Sequence, residues 1–311
     1  MKEIIRSQIL DSNESVFFAR QLEHIKAAAY DVVYPEFKAL SLIPISTEAG
    51  PGASSITYRQ FDRVGLAKIV AFYGDDLPRS DIKGSEFTAK VRSIGGSFGY
   101  NVQEVRQAVM SNRDLPTMKA NAARKANDQL VNQIAWFGDS AHGLQGLIYN
   151  ANVTKGSLTT GNWASATAEQ IIGDVNTQIS NVLSLTKGVE VPDTYLMPVA
   201  QYARIASLLR SSSASDTTVL AFLQKVWPDI TFMAVPELAA LATVPSTGAS
   251  TPTNVTICYK RSPEKLTLEI PQPYEQFPAQ ERNLEFVIPC HSRCGGVIVY
   301  YPLSISIGEG C

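Results

Sequence analysis

The sharpest pattern with a chemical meaning is Gly95-Gly96-Ser97-Phe98-Gly99, which matches Gly-x-Ser-x-Gly, the turn on which α/β-hydrolases raise a nucleophilic serine. Asp193 or Asp229, then His291, follow in the order such a triad needs. That elbow requires a buried parallel strand running straight into the serine and a helix starting directly after it. Here the residues before Ser97 include Lys90 and Arg92 in alternation, as in a solvent-exposed ribbon. Few βαβ units are readable upstream to carry the serine, so the glycines read as a hinge between ribbon and helix. Gly138-Asp139-Ser140, with His142 close by, is a fainter esterase pattern. It follows a helix rather than a strand and reads as a helix stop and loop.

Cys290-His291-Ser292-Arg293-Cys294 is the second cluster, with Cys258 and Cys311 as further thiols. Structural zinc sites pair their ligands at Cys-x2-4-Cys, so the spacing is permitted. A single such pair, with His291 directly beside Cys290, is awkward for chelating one ion, and reduced thiols at a turn are favoured. Three histidines in all, with His24 on an N-terminal helix, do not suggest a metal triad. Neither a phosphate-binding loop nor a dinucleotide fingerprint is present. The reading is therefore of a non-enzyme, with no catalytic, cofactor-binding or metal-binding residue assigned and no cofactor expected.

Composition agrees. With 311 residues, 45% hydrophobic and 18% charged, the chain can bury a sizeable core. A net charge of -2 and a pI near 6.0 give no broad basic field for gripping nucleic acid. Residues 1–15 carry Glu3, Asp11 and Glu14 and lack the apolar run of a secretory signal. The apolar stretch 297–303 is far too short to span a bilayer, so no membrane partner is expected.

The elements follow from periodicity. Leu22, Ile25, Ala29 and Val32 place a helix over 17–33, and Gly50-Pro51-Gly52 breaks the chain after it. Residues 54–97 alternate as a long two-stranded ribbon with a turn-rich tip at 73–78. About twelve residues per strand reach about 40 Å. Such a ribbon is marginal alone in water, and this one is charged, which is the signature of a segment that lies on a neighbouring subunit. Asn101 and Glu104 form a capping pair. A long helix starts near Asp114 and stops at Gly138, with Met118, Ala122, Ala126, Leu130, Ile134 and Phe137 as its apolar stripe. Lys119, Arg124, Asn127, Asp128 and Asn132 mark the opposite face. Thr167 and Gln170 cap a helix that buries Ile171, Val175, Ile179 and Val182. A polar loop at 243–253 reads as a surface tip, and strands follow at 255–259, 266–270, 284–288 and 296–301, with 290–295 as a hairpin connection.

The order of these parts resembles the Hong Kong 97 fold of tailed-phage major capsid proteins, an α+β architecture. The likeness is carried by residues 58–65, 95–100 and 115–132, by Gly138-Asp139 with Gly143-Leu144-Gln145-Gly146-Leu147, by 278–284, and by 293–297 with Tyr301-Pro302-Leu303. By that resemblance, 1–53 are an N-terminal arm and the start of a peripheral domain, and 54–97 an extended loop. Residues 98–149 then hold the spine helix, 150–280 form an axial domain, and 281–311 are terminal strands of the peripheral domain. The implied function is a subunit that assembles through hexamers and pentamers into an icosahedral head around double-stranded DNA, in the bacterial cytoplasm. Implied partners are further copies of itself, DNA on the inner face, a portal, and scaffold or cement proteins, with any scaffold a separate protein. Arg59, Arg63, Lys68, Asp75, Asp76, Lys83, Lys90 and Arg92 are the expected contact residues of the loop. An encapsulin-like nanocompartment shell is the alternative with the same fold.

Overall fold

The structure is a computed structural model that describes residues 35–64, 81–111, 115–211 and 215–311. The expected helix at 17–33, the ribbon tip at 73–78 and the cap Asp114 lie outside those residues.

One five-stranded sheet organises the C-terminal half. Its order is Thr231–Ala234, Thr194–Met197, Val255–Tyr259, Ile305–Glu309 and Thr154–Ser157. The three inner strands, Thr194–Met197, Val255–Tyr259 and Ile305–Glu309, are buried at every position because both faces are covered. Tyr195, Met197, Cys258 and Phe232 face the helices Ala168–Leu185, Val199–Ser207 and Val219–Val226, where Ile171, Val175, Ile179 and Leu223 close one core. Leu196, Ile257, Tyr259, Ile305 and Ile307 face the other way, into a core with Val131, Ile134, Ala135 and Trp136. The expected caps form: Thr167 and Gln170, and likewise Asn101 and Glu104, bond reciprocally at their helix starts. The last strand, expected among the peripheral strands, pairs with Val255–Tyr259, because a run buried at all five positions needs cover on both faces.

A second, four-stranded sheet carries the long helix. Glu285–Cys294 lies between Arg92–Asn101 on one side and Gln272–Gln276 with Gln280–Arg282 on the other. Two expectations are corrected here. The glycine cluster 95–99 is no hinge but extended strand, paired rung for rung with 287–291. The stretch 290–294 is likewise strand and not a hairpin connection. Pro289 is tolerated inside it because its missing N–H falls beside the gap between the two short strands, where its carbonyl still accepts from Phe277 N (2.9 Å).

The helix Leu115–Phe137 has the expected length, but only the C-terminal part of its expected inner stripe is covered. Ile134 is buried and Phe137 half-buried, whereas Met118 (51% exposed), Ala122, Ala126 and Leu130 (41%) face outward; of the expected polar face, Lys119, Asn127, Asp128 and Asn132 turn toward the body and Arg124 stays exposed. Lys119 Nζ donates to Gly99 O and to Glu104 Oε2, both at 2.8 Å. Ser292 Oγ donates to Asn127 Oδ1 (2.5 Å), and Asn132 bonds Ala39 N and Glu237. Each polar side chain meets a backbone or polar partner, which removes the cost of turning that face inward.

Candidate assembly surface

Ser55–Val64 and Asp81–Lys90 pair antiparallel through ten rungs and, among the described residues, with no other strand. Period-two alternation sorts the ribbon into two faces. Ile56, Tyr58, Phe87 and Ala89 share one; Tyr58 stacks on Phe87 (5.3 Å between centroids) and meets Tyr300 edge-on (5.0 Å), which seats the ribbon base on the body. The other face carries the Thr57–Thr88 hydroxyl pair, the Arg59–Glu86 ion pair (2.8 Å) and Phe61, packed over Gly84 and 65% exposed. An exposed ion pair of this kind is worth about 0.2–1 kcal/mol, so the far rungs hold little stability of their own. The ribbon's second strand ends at Lys90, short of the expected 97, and buried Val91 separates it from the body strand that begins at Arg92.

The expected contact residues divide accordingly. Lys68, Asp75 and Asp76 lie outside the described residues, and Arg63 is placed as the rung opposite Ile82. Arg59 and Lys83 sit exposed along the ribbon. Lys90 lies against Gly143, and Arg92 Nε donates to His142 O (3.0 Å), so these two brace the ribbon base on their own chain. In that bracing loop His142 Nδ1 lies 2.6 Å from Asp139 Oδ2, and this bond to His142 holds the Asp139 carboxyl below its ordinary range. Phe61 was missed; it is an aromatic on the ribbon face opposite Tyr58, a signal that alternation alone carries.

The chemistry-bearing patterns take structural places. Ser97 is mid-strand opposite Pro289, not on a strand-to-helix turn. His291, opposite Gly95, shares its face, but Asp193 is engaged elsewhere by Arg261 N (2.8 Å), Thr194 Oγ1 (2.9 Å) and Lys260 (3.5 Å). Cys290 and Cys294 stand four residues apart on one strand face, about 13 Å along the chain, too far to share one ion. Among the described residues no group of three potential ligands could hold a metal.

All four cysteines are buried and free. Burial pushes the Cys294 thiol up to about 11 and Cys311 to about 12, and drives Cys258 up strongly as well. The unfolded chain ionises these thiols near the ordinary value and the folded chain does not, so stability falls as pH rises above about 9. At pH 8 the native subunit is expected to leave these three unlabelled by a thiol reagent and to label them after denaturation. Counting labelled thiols by mass spectrometry checks this, and rapid native labelling of Cys258 would refute the buried strand that carries it.

A capsid-subunit fold is what this arrangement of ribbon, long helix and two sheets defines. The capsid of Myoviridae phage XM1 superposes with a TM-score of 0.84 at 17% identity, covering 96% of this chain and 100% of that one. A chain from Mycobacterium phage Ogopogo gives 0.65 at 13% identity (95% and 99% covered), and one from the capsid of a native GTA particle 0.62 at 9% (96% and 99%). No curated protein sequence matches. The family described as major capsid protein matches residues 65–310, and the chain belongs to it: it is a phage head-shell protein of Hong Kong 97-like fold.

Proposed function

We propose that this subunit builds an icosahedral head through hexamers and pentamers, enclosing double-stranded DNA, and that the ribbon lies over a neighbouring copy. The observation that carries the reading is the ribbon itself. Among the described residues it is seated at its base, has outer rungs of little intrinsic stability, and presents Phe61 to solvent. An isolated two-stranded hairpin is marginal in water, so a partner that covers Phe61 supplies what the chain lacks. Symmetry then multiplies modest contacts into a closed shell. The near-zero net charge suits it, since strongly charged subunits repel as they gather. In this reading Arg59, Arg63, Lys68, Asp75, Asp76 and Lys83 contribute along the ribbon, the long helix is the peripheral spine, and the five-stranded sheet with its helices is the axial body. A portal and a separate scaffold or cement protein complete the proposed partners, with assembly in the host cytoplasm.

Velocity sedimentation and negative-stain microscopy of the chain expressed alone test this. Rings or closed particles are expected, and Phe61→Asp is expected to shift the material to unassembled subunits with an unchanged circular-dichroism spectrum. A wild-type chain that stays monomeric at high concentration sinks the reading. Normal particles from Phe61→Asp would remove Phe61 from the contact.

A further inference from the structure

The ribbon base and the body enclose a cleft of about 210 Å³. Tyr58, Phe87 and Lys90 wall it on the ribbon side, and Gln145, Asn150, Asn152 and the strand Gly296–Val299 on the body side. Asn150 is only 4% exposed; its Oδ1 accepts from Asn152 N (3.0 Å), and its Nδ2 meets no partner among the described residues. An amide donor buried in this way is costly until an acceptor reaches it. Lys90 Nζ lies along Gly143, 3.5 Å from where a Cβ on that glycine would stand, and forms no ion pair among the described residues. Gln145 and Asn152 add exposed side-chain amides.

No aspartate or glutamate is among the residues that line the cleft. Glu269, behind Gly295, is 2% exposed, and its Oε1 accepts from Thr267 Oγ1 (2.7 Å). The remaining wall is apolar. Val297 and Val299 belong to the core, so Ile298 between them turns the other way, toward the ribbon and the stacked rings of Tyr58 and Phe87.

We propose that this cleft binds a carboxylate carried on a small apolar body. Lys90 pairs with its charge, the Asn150 amide donates to one of its oxygens, and Ile298 with the two rings covers the rest. A single lining cation suits one negative charge, whereas a phosphate carries nearly two. Two sources supply this chemistry: a free aliphatic or aromatic acid, or an acidic side chain of a second copy. Either one touches ribbon and body at once and ties the ribbon base down.

Saturation-transfer NMR with sodium benzoate, set against uncharged benzamide of the same shape, tests it. Unassembled subunits are expected to bind benzoate with a Kd of about 1 mM, and benzamide about tenfold more weakly. Lys90→Gln is expected to weaken benzoate binding about tenfold. Lys225→Gln removes an equal charge from the exposed end of the helix Val219–Val226, which does not line the cleft, and is expected to bind as wild type. The comparison of the two probes on the wild-type chain stands even where Lys90→Gln alters the fold. Absence of benzoate binding, equal binding of the two probes, or equal binding by a folded Lys90→Gln would each overturn the site. Assembled particles separate the sources. Binding retained there assigns the cleft to a free acid; binding lost on assembly and regained on dissociation assigns it to a side chain of the neighbouring copy.

Discussion

Gly146→Ala is expected to cost at least about 3 kcal/mol, in the severe range for a point substitution, and to leave much of the protein unfolded in mild urea. The reason lies at the C-terminus of the long helix. Its last carbonyls have no partners within the helix. The returning chain supplies them: Leu147 N donates to Ala135 O and Ile148 N to Trp136 O, both at 2.9 Å. To get there the backbone reverses at Gly138, whose φ of +74° is natural only for glycine, and crosses itself at Gly146. A Cβ on Gly146 would stand 2.2 Å from Gly138 N and 2.4 Å from Phe137 C. Those are backbone atoms, which cannot swing aside. Separating the two segments would break the carbonyl bonds and open the core around Trp136, which is fully buried. Gly96→Ala is the matched control, since its Cβ would meet nothing within 4 Å, and a midpoint near wild type is expected. Equal urea midpoints for both variants would show that residues 138 and 146 do not approach as described.

The same region shows what the sequence conveyed and what it hid. Gly138 as a helix stop, both capping boxes and the ribbon were legible because each is a local signal. The long helix's length was legible too, and so was the burial of Ile134 and Phe137, but not the orientation of its first four turns. A period near 3.6 says that a helix has two faces; it does not say which face its own subunit covers. In an isolated globular domain the alanine-rich side would turn inward. Here Lys119, Asn127 and Asn132 find bonded partners on the body, and the Met118–Leu130 side is left outside. The glycine cluster 95–99 misled for a related reason. Glycine signals freedom or close approach alike, and only the ten-rung pairing with Glu285–Cys294 separates them. That pairing joins residues nearly two hundred positions apart, a distance no local pattern spans.

Gln178→Leu is expected to cost about 2–5 kcal/mol although leucine nearly fills the same volume. Gln178 is 2% exposed on the helix Ala168–Leu185, buried beside Val175 and Ile179, which the sequence did mark as the inner face, although Gln178 itself carried no such signal. Its Oε1 accepts from Tyr195 Oη (2.7 Å) and Thr256 Oγ1 (2.9 Å), while Nε2 donates to Ser306 O (2.8 Å) and Thr256 O (3.3 Å). One amide thus ties the helix to three adjacent strands. Gly308 lets it come close, since a Cβ there would lie 3.0 Å from Oε1 and 2.7 Å from Thr256 Oγ1. Burial already drives the Tyr195 hydroxyl well above its ordinary pKa, so that proton stays on the oxygen and needs an acceptor. Leucine would strand the buried Tyr195 hydroxyl, at about 1–3 kcal/mol, and leave Thr256 Oγ1 only its longer bond to Gly308 O (3.4 Å). Removing the hydroxyls as well, with Tyr195→Phe and Thr256→Val, is expected to restore most of the loss, because an apolar set of the same shape leaves nothing unpaired. Thermal or urea unfolding of the single and triple variants separates the cases. A single variant as stable as wild type would mean that the amide is not the buried acceptor. A triple variant no better than the single would assign the loss to packing against the sheet instead.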